Sequence, residues 1–309
     1  MNSLSVTLII LLLCNISFMK VNAETKLETP LTENILFSSH TEAYRQGMSG
    51  FHANRMDIAL PALEYAAKGE LHQAQLWLAR IYLYGLKGAS QDHLKAFKYY
   101  QLLADSLAEI HPFSPFAKVS SEAFVTLGNY YSIGIPGFKE PNDEEAVRMY
   151  HHAASYFQDP YGQYYLAMMY LKGNGVQKNT QRAVRWLLNA ARKNHPGSQA
   201  VLGEILWLGQ DFKQNKAKGL AFLKLAKRNV VSKNNQWILN LYQKISGQAN
   251  RQVQGQANQL VKRWDDRFGS ERIVVGDNIT PYGRDYIEPS LNSSGPRFRP
   301  VGARMFGTR

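Results

Sequence analysis

The sequence predicts an all-α fold, a right-handed superhelical solenoid of helical hairpins, on three observations. An apolar run of the form L-G/A-x-x-Y/L-x-x-G recurs four times, at 78–85, 127–134, 166–173 and 202–209. Each copy is followed by an alanine-anchored, aromatic-rich stretch: Ala96-Phe97-Lys98-Tyr99-Tyr100, Ala146-Val147-Arg148-Met149-Tyr150, Ala183-Val184-Arg185-Trp186-Leu187 and, most weakly, Ala217-Lys218-Gly219-Leu220-Ala221-Phe222. The copies are spaced by roughly 36 to 50 residues, a period at which no single hairpin can bury its own apolar face and neighbours must stack to do so.

The chain begins with a short apolar run, Leu4 to Ile16, followed by Val21-Asn22-Ala23, a small-residue cleavage motif. This reads as a secretory signal over residues 1–23, with a mature chain from about Glu24. The run is short of the roughly 20 apolar residues a transmembrane helix needs, and no later stretch approaches that length, so the protein is expected to be exported and not membrane-spanning. The one cysteine, Cys14, lies inside the signal. A lipoprotein reading of Leu11-Leu12-Leu13-Cys14 is poor, because Leu13 is bulky where that motif wants a small residue. The mature chain would therefore carry no thiol, which excludes disulfides, cysteine-ligated zinc and a cysteine nucleophile.

Residues 24–40 are polar, contain Pro30 and show no period, as in a flexible leader. About five hairpin units then fill 41–232. The first is degenerate, as the end of a stack should be, and its second helix is expected from near Met56 to Gly69. In the second unit Ala74, Leu78, Ala79 and Tyr82 form one stripe of an amphipathic helix. The small residue beside the leucine lets the partner helix approach, and the glycines at 85, 134, 173 and 209 can take the left-handed conformation that ends a helix. Pro160 and Pro196 open the fourth and fifth units, where a proline costs no hydrogen bond. An insertion at about 107–120 holds Pro112, Phe113, Pro115 and Phe116. Its apolar residues are expected to pack back on the solenoid, and insertions of this kind tend to mark a binding or regulatory face. Capping helices are expected over 233–268, at Gln236 to Ile245 and Ala249 to Phe268, and 269–309 reads as a disordered basic tail.

The net charge of +12 is concentrated. Between Lys172 and Lys233 there are thirteen basic and two acidic side chains. An exported chain meets little nucleic acid, so an acidic protein surface, anionic polysaccharide or lipid headgroup is the expected counterpart, set against a merely solvated face. No catalytic constellation is apparent. His151 and His152 are sequence neighbours about 100° apart on a helix and cannot grip one metal as an i, i+4 pair does. Gly173-Asn174-Gly175 lacks the strand and the lysine-serine pair of a phosphate loop, and Glu144 and Glu145 suit the N-terminus of a helix. The sequence thus predicts no enzyme, no cofactor and no metal.

These units resemble Sel1-like repeats, relatives of tetratricopeptide repeats, over roughly residues 41 to 228. The signal peptide, Leu127-Gly128-Asn129-Tyr130-Tyr131-Ser132-Ile133-Gly134-Ile135-Pro136-Gly137, Tyr150-His151-His152-Ala153-Ala154-Ser155-Tyr156-Phe157 and Gln163-Tyr164-Tyr165-Leu166-Ala167 together resemble the periplasmic exopolysaccharide-regulator family known as ExoR. The resemblance implies an exported inhibitor of the periplasmic domain of a membrane sensor histidine kinase, negatively regulating exopolysaccharide production and related envelope and motility programmes. A periplasmic protease that removes the inhibitor is a further partner to expect. The alternative is an envelope adaptor whose basic C-terminal repeats hold acidic polysaccharide or peptidoglycan.

If the first helix of each unit lines a concave face, the positions between its packing residues point at the partner. Two and five residues after the motif leucine, this gives Arg80 and Leu83, Asn129 and Ser132, Met168 and Leu171, Glu204 and Trp207, and two before it adds Leu76, Val125, Tyr164 and Ala200. Arg80, Leu83, Asn129, Tyr164, Met168, Glu204 and Trp207 are the candidate contacts, with Tyr, Trp, Met and Arg the residue types that anchor interfaces. His111, His151 and His152, near the insertion, are candidates for sensing mild acid.

Overall fold

The computed structural model describes residues 37–209, 211–230 and 235–269. The expected signal, the leader up to residue 36 and the tail from 270 lie outside the described residues. Among those described there are twelve α-helices and a short 3-10 turn, Leu86–Gly88. The sole β pairing among them is an isolated bridge between Ile135 and Lys139. The helices follow one another as antiparallel hairpins: α1 His40–His52 with α2 Met56–Lys68, α3 His72–Tyr84 with α4 His93–Leu107, α5 Ala117–Ile133 with α6 Asp143–Ser155, α7 Pro160–Lys172 with α8 Thr180–Arg192, and α9 Pro196–Leu208 with α10 Lys216–Asn229. Two further helices, α11 Gln236–Gln248 and α12 Arg251–Phe268, pack on α10. This is the helical solenoid the repeats require.

One device closes hairpins two to five. The second helix starts at Asp92, Asn142, Asn179 or Asn215, whose side chain accepts from the N–H three residues on at 2.9–3.0 Å. The same residue donates its own N–H back to the first helix, to the carbonyls of Tyr82, Tyr131, Tyr170 and Leu206 at 2.9, 2.6, 2.9 and 2.8 Å. Each cap is worth about 1 kcal/mol and fixes the register of its hairpin. Gly85, Gly173 and Gly209 end their helices in the left-handed conformation. Gly134 differs: its φ of 82° comes with ψ of 177°, because the longer turn leads into the Ile135–Lys139 bridge rather than straight into the next cap.

The cap spacing corrects the fifth repeat. Asp92, Asn142 and Asn179 stand four residues before Ala96, Ala146 and Ala183, so Asn215 places Gly219, not Ala217, at the anchor position. Gly219 faces Gly203, and a Cβ there would lie 2.7 Å from the Gly203 carbonyl oxygen and 2.8 Å from the Trp207 nitrogen. In this hairpin the two backbones are close enough to exclude any side chain at either position.

The two helices of a unit have different surroundings. Helix α7 touches α8, α6 and α5, and α9 touches α8, α10 and α11. Ten of the thirteen residues of α9 are buried. The second helices are strongly two-faced: α8 buries Thr180, Ala183, Leu187, Ala190 and Ala191 while Gln181, Arg182, Arg185 and Arg192 are exposed. From the second unit on, first helices are the interior of this solenoid, and second helices and turns carry much of its surface; α1, at the end of the stack, buries only Ala43, Gly47, Gly50 and Phe51. At the C-terminal end Ile238 and Ile245 of α11 and Ala257 of α12 join Trp207, Leu220, Leu223 and Ala226 in one core cluster.

Candidate interaction surface

The burial of first helices decides the fate of the expected concave contacts. Leu83, Tyr164, Met168 and Trp207 are 4, 9, 0 and 6% exposed and cannot be open contact residues in this conformation. The sequence expectation assumed one free face per first helix; three neighbouring helices leave almost none. Asn129 is half-buried and accepts the Tyr150 hydroxyl at 2.7 Å. Glu204 is half-buried, and burial raises its carboxyl pKa against the opposing charge of Lys244.

Arg80 is corrected most sharply. It lies inside the stack and makes a two-pronged ion pair with Glu122, Nε to Oε1 at 2.8 Å and Nη2 to Oε2 at 2.6 Å. The Tyr100 hydroxyl donates to the same carboxylate at 3.1 Å. Burial works against the Arg80 charge, but Glu122 outweighs it and the protonated form is favoured. Burial and the neighbouring carboxylate push the Tyr100 hydroxyl well above its ordinary pKa, so it stays a donor. The triad ties α3 and α4 to α5 across the insertion, where the repeat spacing is broken.

That insertion, 108–116, is ordered by its own turns. Ser114 N–H donates to the His111 carbonyl at 2.8 Å, Ala117 N–H to the Ser114 carbonyl at 3.0 Å, and Phe113 N–H to His111 Nδ1 at 3.3 Å. Its first residues are held from α6 and the residue after it: His152 Nε2 lies 2.9 Å from the Ala108 carbonyl oxygen, and the Tyr156 hydroxyl donates to the Glu109 carbonyl at 3.2 Å. His152 itself packs among Phe124, Tyr156 and Phe157, at ring distances of 4.2, 5.2 and 5.4 Å. Phe116 packs back edge-on against His72 as expected. Phe113 does not: it is 92% exposed, because the His111–Ser114 turn points it outward.

The three expected acid-sensing histidines do not share one environment. His111 and His151 are exposed, and His151 stands 6.4 Å from the Trp186 ring, while His152 is the half-buried clamp on the insertion. The histidine that sequence reasoning passed over is His195. It caps α9, accepting Ser198 N–H at 3.0 Å between Tyr161 and Tyr164, and burial pushes its pKa down to about 3. Its signal was available: His195-Pro196 repeats the Asp159-Pro160 pair one unit earlier, where Asp159 caps α7. Also missed were Gln75, Gln163 and Gln199, each three residues before a motif leucine. Each is buried and donates to a carbonyl in the last turn of the preceding helix, Ala67, Ala154 and Ala191, at 3.3, 3.3 and 3.1 Å.

No group of three or more histidine, cysteine, aspartate or glutamate residues is placed to hold a metal among the described residues, and no helix there is long and apolar enough to cross a membrane. Charge divides the sequence: residues 37–171 carry ten basic and thirteen acidic side chains, and 172–268 eighteen and four.

The Sel1 repeat family model matches residues 72–106, 127–155, 160–195 and 196–229. The matched segments fall on the second to fifth hairpins. The chain is 34% identical over 199 residues to an exopolysaccharide production negative regulator of Rhizobium meliloti (strain 1021), covering 63% of this chain and 70% of that one. It is 34% identical over 212 residues to the protein of the same name from Rhizobium leguminosarum bv. viciae, covering 68% and 76%. Among solved structures it resembles c5321, a protective antigen of uropathogenic Escherichia coli with an SLR fold, with a TM-score of 0.60 at 20% identity, over 75% of this chain and 47% of that one. A Sel1 repeat protein from Oxalobacter formigenes gives 0.52 at 22% identity, over 75% and 88%. At these identities the solved structures establish the fold alone.

Proposed function

Because the chain belongs to the family of the rhizobial exopolysaccharide production negative regulators, we propose that it is an exported, non-enzymatic negative regulator of exopolysaccharide production that binds and inhibits the periplasmic domain of a sensor histidine kinase. The observation that carries the regulatory reading is the 34% identity spanning most of two relatives so named. The solenoid supports the mode of action, since stacked hairpins offer long surfaces suited to other macromolecules and Sel1 repeats mediate protein–protein contact.

With Arg80, Leu83, Tyr164, Met168 and Trp207 turned inward, the contact with the kinase is best sought on the insertion, at Phe113, and on the side chains left half-exposed, Asn129 and Glu204. An outward phenylalanine suits an interface anchor, because a partner that covers its ring removes a large apolar area from water. His111, His151 and His152 remain the proposed acid trigger; because His152 Nε2 already donates to the Ala108 carbonyl, that hydrogen bond itself survives protonation. The test is complementation: a strain lacking this gene overproduces polysaccharide, the wild-type chain restores repression, and the purified protein binds the purified sensor domain. Normal polysaccharide output in the deletion strain would end the regulatory reading, and failure of the pure proteins to bind would end the kinase reading. Unchanged acid release after replacing the three histidines by glutamine would remove the trigger.

A further inference from the structure

The eighteen basic side chains of 172–268 are not merely numerous; folding brings guanidiniums from three helices together. Arg192, from the last turn of α8, and Arg267 of α12 both lie against the Phe268 ring, 5.8 and 5.3 Å from its centroid. Arg228 of α10 pairs with Asp265, one turn before Phe268, at 2.7 and 2.8 Å. From Arg192 the positive stripe continues along the exposed face of α8 through Arg185 and Arg182, over about 15 Å at the rise of an α-helix. Of the four carboxylates in this half, Asp211 is taken by Lys178 and Asp265 by Arg228, Glu204 is half-buried, and Asp266 is exposed near the cluster and outside these two ion pairs.

The rest of the surface there narrows the ligand. Among the described residues of 172–268, Leu208 is the single large apolar side chain that is clearly exposed. The aromatic of the cluster, Phe268, is half-buried and flanked by Arg192 and Arg267, so the surface offers no open row of rings for unstacked nucleobases and no apolar wedge for a bilayer. It offers an extended row of forked donors, which suits carboxylates repeated along a hydrophilic chain. We propose that the α8–α10–α12 face binds an acidic polysaccharide, with Arg182, Arg185, Arg192 and Arg267 receiving carboxylates of successive sugar residues. This stands apart from the kinase reading, and neither depends on the other.

The experiment uses the mature full chain and polygalacturonate as the probe, with neutral dextran and phosphatidylglycerol vesicles alongside, over a series of salt concentrations. Polygalacturonate should bind and dextran should not. R182Q/R185Q/R192Q should weaken binding about tenfold or more and flatten the dependence of log affinity on log salt by roughly two to three, one counter-ion for each contact removed. R45Q/K98Q, in the first half of the chain, should change affinity less than about twofold, and R182Q/R185Q, which spares the Phe268 contact, should fall between. Absence of binding at low salt, equal affinity in the triple variant, or tighter binding to the vesicles than to the polyuronate would each overturn the proposal.

Discussion

Replacing Arg80 by alanine should unfold or severely weaken the stack, and the size of the effect follows from its surroundings. The side chains of Arg80 and Glu122 are 11 and 4% exposed, so truncating the arginine strands a carboxylate out of reach of water with the Tyr100 hydroxyl as its remaining donor. Removing one partner of such a pair costs about 3–5 kcal/mol. For an ordered region of this size each kcal/mol lowers the melting temperature by about 2–4 °C, which gives a fall of roughly 6–20 °C. The double change R80M/E122L takes away both charges together and should recover part of that loss, since a buried pair is often no better than apolar residues of similar volume, less about 1–3 kcal/mol for the Tyr100 hydroxyl left without its acceptor. The assay is urea unfolding of wild type, both single variants and the double variant, followed by far-UV circular dichroism and by tryptophan fluorescence, because Trp77 lies 5.8 Å from the Arg80 guanidinium. Agreement of the two probes would license a single free energy for a repeat protein. A loss below about 1 kcal/mol for R80A, or a double variant as damaged as the single ones, would refute the reasoning and return Arg80 to the surface.

Three further outcomes are expected. His195 has a folded pKa near 3 against an ordinary value near 6.5, so its neutral form belongs to the folded state; its contribution is whole above about pH 6.5 and is lost as pH falls toward 3, at about 1.4 kcal/mol per unit. Between pH 7 and 5 the wild type should therefore lose about 2 kcal/mol more stability than H195N, which keeps a cap but does not titrate, and equal losses would count against the buried-neutral assignment. G219A should destabilise by about 1–3 kcal/mol through its collision with the Gly203 carbonyl, whereas G247A, with nothing within 4 Å, should be neutral or slightly stabilising in the same denaturation assay. F113D should leave the melting temperature within about 2 °C of wild type, because the ring is already in water, yet weaken sensor-domain binding about tenfold or more; unchanged binding would take the insertion out of the interface.

The hairpins were legible because their signals are local. Motif glycines, the prolines at 160 and 196 and the leucine stripes each act within a turn or two, and the start of α2 at Met56 and the two C-terminal helices fell where the periodicity put them. The caps at 92, 142, 179 and 215 and the glutamines at 75, 163 and 199 were equally periodic, but they are polar and escape a search for apolar repeats. The candidate site was misread for a different reason. A helical period says which residues lie on one face and not how many faces are covered, and Met168 and Trp207 were assigned to an open side that the neighbouring helices fill. The Arg80–Glu122 pair joins residues 42 apart across an irregular insertion, and no local pattern announces it. The outward Phe113 depends on one turn at His111–Ser114 that composition does not specify.

The division between enclosed first helices and two-faced second helices separates two kinds of evolutionary freedom. The former behave as a spine, where a substitution in α5, α7 or α9 is felt by three neighbours at once, and the latter as a sleeve whose outer residues answer only to whatever lies outside. Recognition can then drift, or be re-engineered, by rewriting the outward positions of α8, α10 and α12 and the 108–116 loop while the spine is left untouched. Transplanting that sleeve between members of the family, spine held constant, would carry specificity with it.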